Sequence, residues 1–225
     1  MIRALLRRVL PAVLALALSP VVAQAQWNGG RSSDRPGDFD FYVLALSWSP
    51  GFCELSGDSR RNREQCGDGA GLRFVVHGLW PQRERGFPTD CGPERPVTRM
   101  ALDEAGGVYP TESLARYQWR KHGTCTGSSP SAYYADVKRA HDRVVIPPAL
   151  KSLDREQSWS AIEIERAFVD ANPGLRTDMM AVACRRGVLQ EVRICFTRDL
   201  RGFRTCQEVD RQGCRTGDLT VAPPR

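Results

Sequence analysis

Apolar residues occur in short runs that are separated by polar, glycine-containing stretches. Residues 40–46 are almost continuously apolar, which is typical of a buried strand. Residues 188–197 alternate well enough to predict a second strand. Residues 56–71 and 83–96 lack an apolar period and contain several glycines or prolines, so they are predicted to be loops.

Three segments have helical spacing of their apolar residues. The first begins after Thr111, a predicted N-cap, and runs until Gly123. Residues 131–145 and 159–171 are the other two, and a proline follows each of them. Because strands and helices neither alternate strictly nor are all of one kind, the pattern predicts an α+β fold.

Another apolar run, residues 73–82, contains a histidine and a tryptophan three residues apart. We expect its strand to end at His77, because Gly78 frees the backbone there and Pro81 ends regular pairing. A rigid element would then fix the imidazole at a cleft, which suits a general acid or base. The alternative is a histidine that only satisfies a turn.

A second histidine in the sequence favours the catalytic interpretation of His77. His122 follows Lys121 near the end of the first predicted helix, where the last turn would hold it. The helix dipole favours a protonated ring at this position, so we expect His122 to titrate near neutral pH.

The two histidine segments resemble the paired active-site motifs of the T2 ribonucleases. Residues 77–81 read His-Gly-Leu-Trp-Pro, and residues 119–125 read Trp-Arg-Lys-His-Gly-Thr-Cys. Residues 39–53 and 189–195 are similar to the first strand and a late strand of that family. The resemblance implies a ribonuclease T2-like fold with a central antiparallel sheet, flanking helices and four disulfides.

The same resemblance implies an endoribonuclease of low base specificity that needs no metal or other cofactor. His122 would be the base that activates the ribose 2′-hydroxyl, and His77 the acid that protonates the leaving 5′-oxygen, giving a 2′,3′-cyclic phosphate. Lys121 would stabilise charge on the phosphate, and Trp80 would stack on a base unless it is a core residue. RNA is then the expected partner, and DNA, which lacks the nucleophile, is not cleaved.

The second motif departs from the family pattern at one place. The family commonly has His-Glu before the tryptophan, whereas this chain has Tyr117 and Gln118. Gln118 cannot carry a negative charge, and Tyr117 offers a hydroxyl where a ring nitrogen would contact phosphate. An alternative is therefore a catalytically weakened RNA-binding relative. A further alternative is an exported structural or inhibitor protein in which both histidines are incidental.

The chain begins with a predicted signal peptide over residues 1–25. Three arginines precede an apolar run that ends in a small-residue cleavage site, so we expect cleavage near Ala25. A membrane anchor is the alternative, but the run is short for a spanning helix. Residues 26–225 would then form a single domain that is secreted or periplasmic, monomeric and without stable membrane association.

The charge balance is modestly basic. The whole chain has a formal net charge of +6, and the leader holds three arginines and no acidic residue, so its removal leaves +3. This is compatible with a polyanionic substrate but does not by itself identify one.

All eight cysteines follow the leader, and an even number in an oxidising compartment predicts four disulfides. A metal site is disfavoured because no Cys-x-x-Cys pair occurs. Spacing alone does not give the connectivity. The family resemblance implies the pairs Cys53–Cys66, Cys91–Cys125, Cys184–Cys214 and Cys195–Cys206.

Overall fold

The computed structural model describes residues 34–56, 60–93, 95–215 and 217–225. The predicted signal peptide lies outside the described residues. Within them, the strands are β1 (Phe41–Trp48), β2 (Phe74–Gln82), β3 (Gln157–Trp159), β4 (Met180–Arg185), β5 (Val188–Thr197) and β6 (Leu219–Val221). The helices are α1 (Ser49–Ser56), α2 (Arg63–Cys66), α3 (Arg99–Asp103), α4 (Glu112–Lys121), α5 (Pro130–Asp142), α6 (Pro148–Lys151), α7 (Ala161–Ala171) and α8 (Gln207–Arg211).

The strands form one sheet in the order β2-β1-β5-β6-β3, with β4 also paired to β5. All these pairs are antiparallel except β5 with β6, which is parallel. The α+β class and the central, mainly antiparallel sheet are therefore confirmed. None of the helices in the described ranges is long and apolar enough to cross a bilayer.

One face of the sheet makes the main core. Alternate residues of β1 point to this face and are buried with side chains from α4, α5 and α7. The largest of them include Trp48 of β1, Trp119 of α4, Tyr133 of α5 and Phe168 of α7. Each buried side chain of this kind contributes roughly 1.5 to 3 kcal/mol, so this face supplies most of the hydrophobic stabilisation.

The opposite face of the sheet has a much smaller apolar cluster. Phe41 and Val43 of β1 pack there with Val209 of α8 and with the disulfide between Cys195 and Cys206. No long helix of the described residues contributes to this cluster. This face therefore remains open enough to hold a binding site.

Strand β2 does not end at His77, as the sequence suggested, but continues to Gln82. Ala45 of β1 pairs with Gly78 and Leu46 pairs with Val76, so His77 is the extra residue of a β-bulge. Proline later in the strand is tolerated because β2 lies at the edge of the sheet.

Several local predictions were wrong or incomplete. Residues 56–71 are not all loop, since a 3-10 turn over Arg60–Asn62 and helix α2 form there, next to the Cys53–Cys66 disulfide. The third predicted helix starts at Ala161 rather than Trp159, because Ser160 and Glu163 form a capping box. Helix α5 ends at Asp142. The sequence pattern did not indicate β4.

All four implied disulfides are present. The Cys91–Cys125 bond joins the loop after β2 to the short 3-10 turn that follows His122. It thereby restrains the segment that carries the second histidine against the loop that follows the first.

Candidate active site

The β-bulge determines which face of the sheet receives His77 and Trp80. Residues three apart in a regular strand point to opposite faces, but the extra residue at the bulge places both on the open face. Their ring centroids lie 5.2 Å apart with nearly perpendicular planes. The bulge is therefore the local feature that brings these two side chains together.

The side chain of His77 is held by a carboxylate from β5, which is separated from β2 in the sheet by β1. Glu191 of β5 accepts a hydrogen bond from His77 Nδ1 through Oε2 at 2.7 Å, and its Oε1 accepts one from Arg193 Nε at 2.7 Å. Strand β1 lies between them and presents Ser47 opposite Glu191 and Ala45 opposite Arg193. These small side chains leave room for Glu191 to reach across β1 to the histidine.

The carboxylate of Glu191 is buried, yet it stays ionised. Burial would raise its pKa, but the hydrogen bond and charge of His77, together with Arg193, outweigh burial and hold the pKa below its ordinary value. An ionised carboxylate only accepts hydrogen bonds, so Nδ1 of His77 must carry hydrogen. The other ring nitrogen is therefore the atom that can exchange a proton with a substrate.

His122 has a different environment. It is the C-cap residue of α4 and its side chain is buried, with 7% of the residue exposed. Its Nδ1 has no hydrogen-bond partner among the described residues. Burial, then the charges of Lys121 and His77, lower the pKa of His122 to about 3. The prediction that the helix dipole would favour a protonated ring is therefore wrong, because burial outweighs the dipole.

Trp80 lies between the two histidines. Its ring centroid is 5.5 Å from that of His122, and its indole Nε1 donates a 2.8 Å hydrogen bond to Gln118 Oε1. Gln118 is almost fully buried. A Cβ at position 78 would collide with the indole nitrogen and with the Gln118 amide, so Gly78 is required for this contact.

Two clefts open beside the histidines. The His77 cleft, of about 320 Å³, is lined mainly by polar side chains and includes His77, Tyr117, Arg61, Asn62, Gln65 and Thr111. The His122 cleft, of about 360 Å³, includes His122, Lys121, Trp80, Phe87, Arg193 and Glu208. Each cleft thus contains one of the two histidines.

Five of the six residues that the sequence indicated line these two clefts, and the sixth, Gln118, is buried beneath Trp80. Tyr117 is exposed in the His77 cleft, with the Arg120 guanidinium 5.9 Å from its ring centroid. Lys121 lines the His122 cleft. Trp80 is partly buried rather than a core residue.

Sequence reasoning missed three residues of the site. Glu191 and Arg193 are charged residues two apart in an otherwise apolar strand, so they share one face, and that unusual pattern could have indicated them. Phe87, which is 54% exposed at the edge of the His122 cleft, occurs in a loop and had no such signal.

No three His, Cys, Asp or Glu side chains in the described part of the chain lie close enough together to hold a metal ion. The candidate site presents imidazole, carboxylate, ammonium and guanidinium groups. Such a set can donate and accept protons and can contact phosphate.

The geometry of the site and the two motifs agree with the protein family that this chain matches. The sequence profile of the Ribonuclease T2 family matches residues 39–206. This match covers more than half of the chain and includes both histidines. The chain therefore belongs to the ribonuclease T2 family.

Curated relatives of the chain are ribonucleases by name. A ribonuclease of Aeromonas hydrophila is 42% identical over 117 residues, which are 52% of this chain and 50% of that protein. A probable ribonuclease of Haemophilus influenzae is 33% identical over 53% of this chain and 48% of that protein. The chain thus spans about half the length of these two relatives. Ribonuclease DdI of Dictyostelium discoideum is 25% identical over 92% of this chain and 95% of that protein.

Solved structures share the fold at lower identity. Trichomaglin, described as an S-like ribonuclease, superposes with a TM-score of 0.63 at 21% identity, covering 83% of this chain and 98% of that one. A variant of RNase MC1 in complex with 5′-UMP gives a TM-score of 0.57 at 22% identity, covering 73% and 91%. At these identities the likeness shows the fold.

Proposed function

We propose that this protein is an endoribonuclease that cleaves single-stranded RNA by attack of the ribose 2′-hydroxyl on its own phosphate, releasing a 2′,3′-cyclic phosphate. One observation carries the proposal: two histidines in contrasting environments contact the same indole ring, Trp80. Such a pair can perform acid and base catalysis on one phosphodiester without a metal ion.

His122 is the general base of the proposed reaction. Its depressed pKa keeps the imidazole neutral at pH 7, so the ring is free to accept the proton of the 2′-hydroxyl. Its protonated form is short-lived because burial and the neighbouring charge of Lys121 disfavour it. The proton is therefore readily returned in the next step.

His77 is the general acid. The Glu191 carboxylate accepts from Nδ1 and stabilises a positive charge on the ring, so the second nitrogen can deliver a proton to the departing 5′-oxygen. Part of His77 is exposed, with 39% of its side chain accessible, so a leaving group can reach it.

Charge that develops on the phosphate oxygens is stabilised by nearby cations. Lys121 and Arg193 both line the His122 cleft, and Arg193 lies 5.4 Å from the centroid of the Trp80 ring. Fixed cations of this kind stabilise a transition state more than a ground state when the charge builds up beside them.

The roles of the histidines indicate which nucleoside enters which cleft. The nucleoside that supplies the 2′-hydroxyl belongs in the His122 cleft, where Trp80 and Phe87 offer aromatic surfaces to its base. The leaving nucleoside belongs in the His77 cleft. The complex of the RNase MC1 variant with 5′-UMP supports a nucleotide as ligand of this fold. Stacking tolerates all four bases, which supports low base specificity.

The weakened RNA-binding relative is the second candidate. Two observations favour it: Gln118 is neutral and fully engaged with Trp80, and a histidine whose pKa is about 3 is a weak base. In that case both clefts bind RNA but turnover is slow.

We further propose that the protein is exported, with residues 1–25 removed near Ala25 and residues 26–225 as one domain. The four disulfides support an oxidising destination, either periplasmic or extracellular. Mass spectrometry of the exported protein would locate the cleavage site, and its sedimentation would test the expected monomer.

Digestion of single-stranded RNA in the presence of a chelator tests the proposed reaction. We expect fragments that end in 2′,3′-cyclic phosphate, no cleavage of DNA, and loss of activity in His77→Phe and in His122→Phe. The matched control is His141→Phe, because His141 lies on the exposed face of α5 and pairs only with Asp142 among the described residues. RNA that is bound but left intact by the wild-type protein would support the weakened relative instead.

A further inference from the structure

A third concave region lies beside the His122 cleft. This arginine cleft, of about 360 Å³, is lined by Arg85, Arg204 and Arg211 and by Phe41. Glu208 lines both the arginine cleft and the His122 cleft, so the two are adjacent. A strand of RNA that leaves the His122 cleft on this side would pass over the three guanidinium groups.

One of the three arginines is held in a fixed orientation. The guanidinium of Arg204 lies 4.6 Å from the centroid of the Phe41 ring. Its Nη2 donates to Glu84 at 2.6 Å, and its Nε donates to the carbonyl oxygen of Thr205 at 3.0 Å. The Nη1 group is thereby left in place to donate to a ligand.

The two carboxylates of the arginine cleft already have partners. Glu84 accepts from Arg204, and both oxygens of Glu208 accept from the backbone N–H of Gly86 at 3.1 Å. Arg85 and Arg211 form no ion pair with any of the described residues. The charges lining the cleft are three positive and two negative, so the described residues leave it with a surplus positive charge.

The floor of the arginine cleft is rigid. Cys206, which begins the segment leading into α8, is bonded to Cys195 of β5. Arg204 and Arg211 therefore lie on a segment that is covalently anchored to the central sheet. Because the Arg204 guanidinium is already held in place, it binds an anion without the cost of ordering its own side chain first.

We propose that the arginine cleft binds the RNA phosphate that lies on the 5′ side of the nucleoside in the His122 cleft. This inference rests on the proposed function, because the assignment of that nucleoside follows from His122 acting as the base. The ligand class is a phosphate monoester or diester, and guanidinium groups bind such phosphates through paired N–H donors. The enzyme would then prefer substrates that continue in the 5′ direction.

Two dinucleotides that differ only by a 5′-phosphate test this site. We expect the wild-type protein to cleave pUpA with a kcat/KM about tenfold higher than that for UpA, through a lower KM and with kcat unchanged, since one charge-assisted contact contributes about this factor. In the Arg85→Gln/Arg211→Gln double variant the ratio of the two kcat/KM values should fall well below tenfold, with the remainder due to Arg204. Arg155→Gln is the matched control, because Arg155 is an exposed arginine near β3, at the far edge of the sheet, and should retain the preference.

Binding of uncleavable deoxydinucleotides separates this inference from the proposed function. We expect d(pTpA) to bind the wild-type protein more tightly than d(TpA) at low salt, with the difference clearly reduced in the double variant. If this holds while neither RNA dinucleotide is cleaved, the phosphate site stands and the proposed ribonuclease activity fails. Equal cleavage and equal binding of both members of each pair would overturn the phosphate site.

Discussion

The two histidines lie in regions of the molecule that are built in different ways. His77 occupies a bulge in an edge strand, with part of its ring accessible and a carboxylate on Nδ1. His122 ends a helix, is buried, and has no partner on Nδ1 among the described residues. One region therefore places a carboxylate against its imidazole, whereas the other surrounds its imidazole with groups that disfavour a charged ring.

This difference shows how one residue type can supply both an acid and a base. Neither ring needs unusual groups around it. Burial disfavours a positive charge on an imidazole, and contact with a buried carboxylate favours one. Trp80 keeps the two regions in contact while it separates the rings. The proposed division of labour follows from these surroundings, and it can be tested by removing them one at a time.

Removing either imidazole should have the largest effect. We expect His77→Phe and His122→Phe each to lower kcat by roughly 10² to 10⁴-fold, as is usual for loss of a general acid or base. Because both rings act in one step, the double variant should be little slower than the slower single variant. Initial rates on a defined oligonucleotide measure this, with circular dichroism to show that each variant is folded. Losses that multiply in the double variant would contradict a concerted pair.

The burial of His122 should also make stability depend on pH. Its pKa is near 6.5 in the unfolded chain and about 3 in the folded protein, so the unfolded state binds more protons between these values. The contribution of neutral His122 is complete above the unfolded pKa and is lost as the pH falls. We expect the free energy of unfolding to decrease by about 2 kcal/mol between pH 7 and pH 5.

Urea unfolding of three proteins at both pH values isolates this contribution. His122→Phe should remove most of the decrease, whereas His141→Phe should retain it because the side chain of His141 is partly exposed rather than buried. If the free energy of unfolding decreases by the same amount between the two pH values in all three proteins, His122 is not buried as a neutral ring.

Glu191 should matter less than the histidine that it holds. Glu191→Gln keeps an oxygen that can accept from Nδ1 but removes the charge, so we expect kcat to fall about tenfold while KM changes little. Glu156→Gln, near the far edge of the sheet, is the control. An unchanged kcat would mean that Glu191 serves only to hold Arg193.

Replacing Gln118 by glutamate should have the smallest effect. The new carboxylate can still accept from Trp80 Nε1, and where it ionises it favours a proton on the nearby His122. We expect the pH optimum to move by up to about one unit, with a change in rate of only a few-fold.

The chain offers a matched control for this substitution. Trp159 Nε1 donates to Gln157 Oε1 at 2.7 Å in a pair of the same kind on β3. Gln157→Glu should leave the pH–rate profile unchanged. If Gln118→Glu also leaves both rate and optimum unchanged, position 118 does not tune the site.

Much of the local structure followed from the sequence. The continuous apolar run of β1, the alternation of β5 and the N-cap at Thr111 are local signals, and each gave an element close to its observed bounds. The weaker predictions concerned short helices in polar stretches, where a disulfide and tertiary contacts override propensity.

By itself the sequence determined the fold class, the number of cysteines available for disulfides and the identity of five residues that line the clefts. Tertiary structure alone decided the bulge at His77, the contact of Glu191 with that histidine across 114 residues, and the burial that makes His122 neutral. The reason is physical: propensity and apolar period depend on neighbours in sequence, whereas register, burial and proton affinity depend on neighbours in space.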